Sequence, residues 1–216
     1  MIENISQERI NSNKDEFINL LRSTNREGIE GLINYLTEKT DFFTAPASSK
    51  YHGAFEGGLC EHSLWVYKIL LKLVEDYKEL AGEDTTLDNE SLIITALLHD
   101  ISKVNTYEST VQNKKIYSPE GSKYDEMGNY DWVPVKGYKM KDLEERFVFV
   151  NHESSSEFII RQFIPLRIAE SVAIMIHHGG IGYDSVDPEV ITPNYAKYTL
   201  SMLLHQADMT AAYKFA

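Results

Sequence analysis

Seven histidines are the side chains best suited to chemistry in this sequence, and one of them is joined directly to an aspartate. They are His52, His62, His99, His152, His177, His178 and His205. His99 and Asp100 follow the apolar run Ala96-Leu97-Leu98, which places an imidazole and a carboxylate at the end of a buried helix. Burying an unpaired carboxylate is costly, so we expect a positively charged partner there, and a metal ion is the simplest one.

A second histidine and aspartate lie close together on the last predicted helix. Asp208 follows His205 by three residues, so both side chains project from nearly the same helix face. The single cysteine, Cys60, excludes an internal disulfide and a cysteine-rich zinc site. The available ligands are therefore nitrogen and oxygen atoms, which suit Mn, Fe, Co, Ni or Mg better than a structural zinc centre.

Helical periodicity predicts an all-α domain whose elements must bring these side chains together. The predicted helices cover about 1–24, 26–39, 61–81, 88–100, 152–163 and 166–178, and a last one runs from residue 192 onward. Asn25 and Asp88 are predicted to cap two of them, and Thr192 followed by Pro193 is typical of a helix start. Residues 44–60, which contain proline, serine and glycine, are predicted to form a structured loop.

One segment, residues 104–147, differs in character from the helices on either side. It is rich in aromatic residues, glycine and charge, and we predict a β-hairpin or ordered flap inserted between helices. Its tyrosines, lysines and tryptophan could stack on a nucleobase and hold its phosphates, or could pack on their own domain. The residues concerned are Tyr107, Lys114, Lys115, Lys123, Tyr124 and Trp132.

The composition indicates one soluble domain of 216 residues. Within it, 1–44 form N-terminal helices, 45–103 and 148–216 form the helical core, and 104–147 form the insertion. The formal charge of −12 disfavours binding of long duplex nucleic acid but allows a small anionic substrate if bound cations reverse the local field. No membrane span or signal-peptide pattern is found, so we expect a cytoplasmic protein, with homodimer formation left open.

The order His62, His99-Asp100 and Asp208 resembles the signature of the HD superfamily of metal-dependent phosphohydrolases. The stretches 45–54 and 57–64 are similar to the opening of a bacterial and phage HD hydrolase group. The run Gly-Gly-Leu-Cys-Glu-His within them is also similar to the HD part of a bacterial three-prime exoribonuclease. His152, residues 176–180 and residues 204–208 fall in the same order as in that group. The resemblance covers about 45–212 and implies an HD-domain helical bundle.

The resemblance also implies a ligand set for one or two divalent metal ions. His62, His99, Asp100 and Asp208 would hold the first ion, and Asp100 could bridge to a second one. The second ion would be completed by His152 and by one of the adjacent histidines His177 and His178. Because neighbouring helical residues point about 100° apart, we do not expect both to reach one ion. His177 stands at the position of the family's ligand. His178 would then lie just outside the ligand set or contact the substrate.

Three residues are predicted to act in catalysis beside the bound cations. Asp100 would bridge the ions, which activate a water molecule and neutralise charge on a phosphoryl oxygen. Lys103 matches a lysine that often follows the His-Asp pair in HD proteins, and it either holds a phosphate or is an ordinary solvated lysine. His52 is either a substrate or proton-transfer contact or a residue that stabilises its loop.

The function expected from these features is hydrolysis of a phosphate ester or anhydride in a small nucleotide. A nucleoside mono- or triphosphate is the first choice, and a short oligonucleotide is the next. The HD scaffold also supports di-iron oxygenases, which is the alternative enzyme class. A catalytically silent nucleotide-binding regulatory module is the third hypothesis, and it is disfavoured because every expected ligand position is filled.

Overall fold

The structure, a computed structural model, describes residues 5–84, 87–147, 151–179 and 188–214 and is built mainly from eight helices within those ranges. The helices are α1 (Gln7–Ser23), α2 (Ile29–Glu38), α3 (Gly58–Ala81), α4 (Asn89–Leu98), α5 (His152–Arg161), α6 (Ile168–Met175), α7 (Pro188–Lys197) and α8 (Thr199–Lys214). Parts of the predicted ranges, including Gly180 of the motif at 176–180, lie outside the described residues.

The insertion forms one antiparallel sheet, so the predicted all-α class is only approximate. Its strands are β1 (Tyr107–Tyr117), β2 (Lys123–Asp125) and β3 (Gly128–Met140), in the spatial order β1-β3-β2. The register of the long β1–β3 pair runs from Tyr107 opposite Met140 to Tyr117 opposite Tyr130. The predicted hairpin is therefore present between the helices, with a short third strand added to it.

The core surrounds α3, which packs against α1, α4 and α8. Helix α4 has no polar stripe, because every residue from Ser91 to Leu98 is buried. Each fully buried leucine or isoleucine on it contributes about 1.5–3 kcal/mol relative to an exposed one. A helix that is apolar on all sides must run through the interior, so its end at His99 lies inside the protein.

Several helix boundaries differ from those predicted. Thr192 and Pro193 do not start a helix, because α7 already begins at Pro188 and contains Pro193, and α8 begins only at Thr199. Asn25 does not cap α2, since Gly28 with a φ of 87° occupies the capping position. Asp88 caps α4 as predicted, because its side chain accepts a hydrogen bond of 3.1 Å from the backbone N–H of Ser91.

A buried ion network, here called the Arg26 cluster, fastens the connection between α1 and α2 to α4 and α6. The Arg26 guanidinium donates two hydrogen bonds of 2.8 Å to the Glu170 carboxylate and one of 2.6 Å to Glu90. Glu170 also accepts from the Ser91 hydroxyl and the backbone N–H of Arg167, each at 2.8 Å. The Glu170 side chain is fully buried, and both of its oxygens have partners. The cluster therefore holds the helices that carry the histidines.

Candidate metal centre

Predicted ligands from five separate segments meet at one place in the helical core. His62 lies on α3, His99 and Asp100 follow the end of α4, and His152 begins α5. The turn after α6 carries His177 and His178, and α8 carries Asp208. These residues form three overlapping groups of three, and within each group the ligand atoms lie within 4.8 Å of one another. The groups are His62/His99/Asp100, His99/His177/Asp208 and His152/His177/His178. The structure thus brings together all seven predicted metal ligands.

The inner part of this cluster is fully buried and surrounds one oxygen of each aspartate. Nε2 of His62 lies 3.0 Å from Oδ1 of Asp208 and 3.8 Å from Oδ2 of Asp100. Nε2 of His99 lies 3.7 Å and 3.4 Å from the same two oxygens. Four ligand atoms therefore face one small space, the arrangement that a single divalent cation needs.

The outer part of the cluster surrounds the other oxygens. Oδ1 of Asp100 lies 3.7 Å from Nε2 of His152 and 3.6 Å from Nε2 of His177. Nε2 of His178 lies 3.7 Å from Oδ2 of Asp208. Each carboxylate therefore presents one oxygen to the inner histidines and the other to the outer ones, so either aspartate could contribute ligands on both sides if two cations were bound.

Both His177 and His178 reach the outer part, contrary to the expectation that only one would. That expectation assumed a continuous helix, in which neighbouring side chains diverge by about 100°. Helix α6 ends at Met175, so both histidines lie in the turn that follows it. Their rings are 4.5 Å apart, and that of His178 is also 4.5 Å from the ring of His152. The turn thus allows two adjacent imidazoles to converge.

Several buried ligand atoms of the cluster have no hydrogen-bond partner, which fits a site for a bound cation. Among the described residues, nine buried side-chain nitrogen or oxygen atoms have no hydrogen-bond partner, and six of them belong to the predicted ligands. The six are Nδ1 and Nε2 of His62, Nε2 of His99, Oδ1 of Asp100, Nε2 of His152 and Nε2 of His177. Such atoms are costly inside a protein unless something binds them. Imidazole and carboxylate donors suit a divalent transition metal.

Backbone carbonyls determine which nitrogen of two ligands faces the centre. Nδ1 of His99 donates to the carbonyl of Ala96 at 2.9 Å, and Nδ1 of His177 donates to that of Ile174 at 2.6 Å. Because a carbonyl only accepts, each Nδ1 carries a proton, and Nε2 is the nitrogen that faces the centre and can bind a cation. Helix ends supply these free carbonyls, which is why both histidines lie there.

Glu153 contacts two of the predicted ligands, although the sequence motifs did not point to it. Its Oε1 accepts a hydrogen bond of 3.0 Å from Nδ1 of His178, and its Oε2 lies 3.1 Å from Nδ1 of His152. The hydrogen bond orients His178 so that it presents Nε2 to the centre, whereas Oε2 lies against His152 without a hydrogen bond. The sequence did contain one indication of this contact, because Glu153 follows His152 directly at a predicted helix start.

Burial and charge shift the pKa values of the cluster in opposite directions. Burial lowers the pKa of His62 and of His177, and it lowers that of His152 to about 3. Burial alone would raise the pKa of Asp100, but the Lys103 ammonium and His99 hold it well below its ordinary value. His99 differs, because burial alone would lower its pKa but the Asp100 and Asp208 carboxylates raise it to about 10. Without a cation the cluster therefore holds neutral imidazoles at His62, His152 and His177 and a charged one at His99, which must release a proton when a metal binds.

Lys103 is neither solvated nor free. Its side chain is 13% exposed, and its Nζ donates a hydrogen bond of 2.6 Å to Oδ2 of Asp100. Burial alone would lower the pKa of Lys103, but the adjacent Asp100 carboxylate raises it above its ordinary value. The alternative of an ordinary solvated lysine is therefore wrong, and the ammonium lies at the edge of the centre.

His52 lies beside the centre on the loop that precedes α3. Its ring is 4.8 Å from that of His62, and burial lowers its pKa to about 4. The loop can approach α3 only because residue 58 is glycine, since a Cβ there would lie 2.1 Å from the carbonyl oxygen of Gly53. Nε2 of His52 has no hydrogen-bond partner, so it does not stabilise the loop through that atom.

His205 does not hydrogen-bond Asp208, although the two lie on the same helix. Nδ1 of His205 instead donates a hydrogen bond of 2.6 Å to the carbonyl of His177. Its ring stacks on Tyr195 with centroids 5.9 Å apart. His205 therefore supports the turn that carries the outer histidines.

Two candidate binding residues of the insertion, Lys115 and Trp132, lie away from the centre. They are opposite each other in the sheet, and Lys115 is eight residues, or about 26 Å of strand, from Tyr107. The Lys115 ammonium is bound by Asp125 at 2.7 Å and lies over the Tyr130 and Trp132 rings, so these side chains pack on their own sheet. Tyr107, at the base of the sheet, is buried and interacts with Lys103 at the edge of the centre.

A cavity of about 490 Å³ opens beside the cluster. His178 and Asp208 form part of its wall, so the cavity reaches the predicted ligands directly. The rest of its lining comes from the loop before α3 and from the last helix. A small substrate can therefore approach the centre from this side.

The family model described as HD domain matches residues 59–208, and the chain belongs to the HD domain family. The match includes His62, His99-Asp100 and Asp208, the residues that carried the resemblance. No solved structure matches the chain. The similarity to an exoribonuclease stays a prediction.

A curated relative matches a shorter part of the chain. It is the dihydroneopterin 2',3'-cyclic phosphate phosphodiesterase of Methanocaldococcus jannaschii, which is 44% identical over 63 residues. The matched part is 29% of this chain and 24% of that protein, so the match spans about a quarter of the relative. Among the described residues, no helix is long and apolar enough to cross a membrane.

Proposed function

We propose that this protein is a metal-dependent phosphohydrolase that cleaves a phosphate ester of a small nucleotide or a similar compound. The observation that carries the proposal is the convergence of unpartnered histidine and aspartate atoms around Asp100, open to a cavity of substrate size. A divalent cation bound there supplies positive charge at a phosphoryl oxygen and activates a water molecule.

Other residues of the chain would hold the histidines in place and contact the substrate. Asp100 and Asp208 hold the inner and outer histidines at one centre through opposite oxygens of each carboxylate. The Lys103 ammonium uses one of its three N–H groups on Asp100, which leaves two that can donate to a phosphoryl oxygen. His52 lines the cavity and is placed to contact the substrate beside the centre.

The comparisons support hydrolysis over the other hypotheses. The HD domain family match covers the ligand positions, and the relative from Methanocaldococcus is named as a cyclic phosphate phosphodiesterase. Phosphodiester and phosphomonoester cleavage both require charge neutralisation at phosphorus and an activated water. We therefore include both kinds of ester among the substrates to be tested.

The test is phosphate or nucleoside release by the purified chain loaded separately with Mn²⁺, Co²⁺, Ni²⁺, Mg²⁺ or anaerobic Fe²⁺. The substrates are nucleoside monophosphates, 2',3'-cyclic nucleotides and triphosphates, and metal content is measured by mass spectrometry. We expect turnover of at least one class, lost in Asp100→Ala. A fully loaded protein that hydrolyses none of them would overturn the proposal. Dioxygen consumption by the iron form would then favour the oxygenase alternative.

A further inference from the structure

The cavity beside the metal centre is lined by two kinds of residue. Its polar lining is formed by His52, His178, His205 and Asp208. Its other walls carry two tyrosines, Tyr51 and Tyr213, together with Met209 and Ala212. The tyrosines are 82% and 81% exposed, so their rings are available to a ligand.

Such walls suit a flat, uncharged organic group. Aromatic rings stack on other π-systems, and a methionine thioether adapts to an aromatic edge. The volume of about 490 Å³ is typical of cavities for small organic ligands. The polar end and the apolar end of the cavity therefore match the two ends of an aromatic phosphate ester.

The cavity offers little positive charge to additional phosphates. No lysine or arginine is among its lining residues in the described part of the chain. The segments outside the described ranges contain no lysine or arginine in the sequence either. Lys103 lies beside the phosphate position at the centre and does not line the cavity, and the chain carries a formal charge of −12. A triphosphate would bring about four negative charges into this field, of which bound cations could neutralise only those at the centre.

We infer that this cavity is a subsite for the aromatic part of the substrate and that it selects compounds with a single phosphate over triphosphates. This inference rests on the proposed function, because it assigns the phosphate to the metal centre. It narrows the expected substrates, since triphosphates and oligonucleotides are excluded from the preferred class.

The experiment compares AMP, ADP, ATP and ribose 5-phosphate on the metal-loaded protein, with adenosine as a ligand in thermal-shift binding. We expect kcat/KM to fall at least about tenfold from AMP to ATP, because like charges without a counterion are repelled. We expect ribose 5-phosphate to show a raised KM and adenosine to stabilise the protein. Equal or faster turnover of ATP would overturn the inference while leaving the hydrolase intact. If no ester is cleaved, the proposed function fails, and the binding series still tests the subsite.

Two variants make the assignment specific. Tyr213→Ser should raise the KM for AMP and leave ribose 5-phosphate unchanged, because only AMP has a base to stack. Met209→Lys should raise the ratio of ATP to AMP turnover by about tenfold, since it places a cation in the wall. Thr210→Lys is the matched control, because Thr210 is exposed on the same helix but does not line the cavity. Equal effects of the two lysine variants, or of Tyr213→Ser on both substrates, would contradict the subsite.

Discussion

Two buried polar clusters in the same helical core contrast in how completely their atoms are paired. In the Arg26 cluster, both oxygens of Glu170 accept hydrogen bonds and the guanidinium of Arg26 donates to two carboxylates. In the metal centre, the histidines and Asp100 leave six buried atoms without a partner. Both clusters contain fully buried side chains, Glu170 in one and His62 in the other, so the contrast does not come from a difference in burial.

The contrast separates stability from function. A buried network that satisfies itself contributes to holding elements together, and breaking it costs stability. A buried network with unsatisfied atoms is maintained by the rest of the fold and regains its missing interactions only when a ligand binds. Variants in the two clusters should therefore affect different measurements.

The largest effect is expected for Asp100, which faces both parts of the metal centre. Asp100→Ala should abolish metal binding and lower kcat/KM by about 1,000-fold or more, because Asp100 faces the inner histidines with one oxygen and the outer ones with the other. Metal content and phosphate release are the measurements, and Asp76→Ala, at an exposed position on α3, is the control. Retention of metal and activity would remove the metal-centre interpretation.

The reverse pattern is expected for the Arg26 cluster. Arg26→Ala should lower the free energy of unfolding by about 3–5 kcal/mol, because it leaves the fully buried Glu170 carboxylate without its cation. Urea unfolding of the metal-free protein measures this loss. Metal binding to the folded fraction should be unchanged, and a loss of metal affinity would show that the two clusters are coupled.

A smaller effect is expected for Glu153, which accepts a hydrogen bond from His178 and lies against His152. Glu153→Gln should weaken metal affinity by about 10–100-fold, as is usual for partners of metal-binding histidines. Equilibrium dialysis with Mn²⁺ measures the change independently of turnover. Glu157→Gln on the same helix is the control, since Glu157 pairs with Arg161 instead. Equal affinities of the two variants would exclude the positioning role.

The stability contributed by the Arg26 cluster should decrease in acid. Burial alone would raise the pKa of Glu170, but hydrogen bonds from Arg26 lower it below its ordinary value of 4.5. The lowered pKa adds stability above pH 4.5 that is lost as the pH falls below it, at most about 1.4 kcal/mol per pH unit. Metal-free unfolding of wild type and Glu170→Gln measures the difference. Parallel pH profiles of the two proteins would contradict this assignment.

The smallest effect is expected from shortening the sheet. Replacing residues 112–135 by Asn-Gly joins Val111 to Lys136, which are already opposite each other, through a two-residue turn. Metal content should be unchanged and kcat/KM for AMP should stay within about threefold, because the removed strands extend some 20–30 Å from the base of the sheet. A large loss of activity would show that the insertion binds substrate.

The ligands of the metal centre were predictable because their chemistry appears directly in the sequence. An apolar run ending in His99-Asp100 indicates a buried acid whatever its neighbours are, and the order of the other motifs indicates the family. Helix boundaries were less predictable where local signals compete. The Thr192-Pro193 pair is typical of a helix start, but α7 begins at Pro188 and continues through it.

The sequence by itself determined the family, the helical core with its inserted strands, and the residue types that can bind a cation. Only the tertiary structure decided that His177 and His178 converge, that Glu153 holds His178, and that Lys103 is held by Asp100. The physical reason is that side-chain direction depends on where a helix ends and on what packs against it. Those contacts join residues far apart in the chain, which spacing and periodicity do not record.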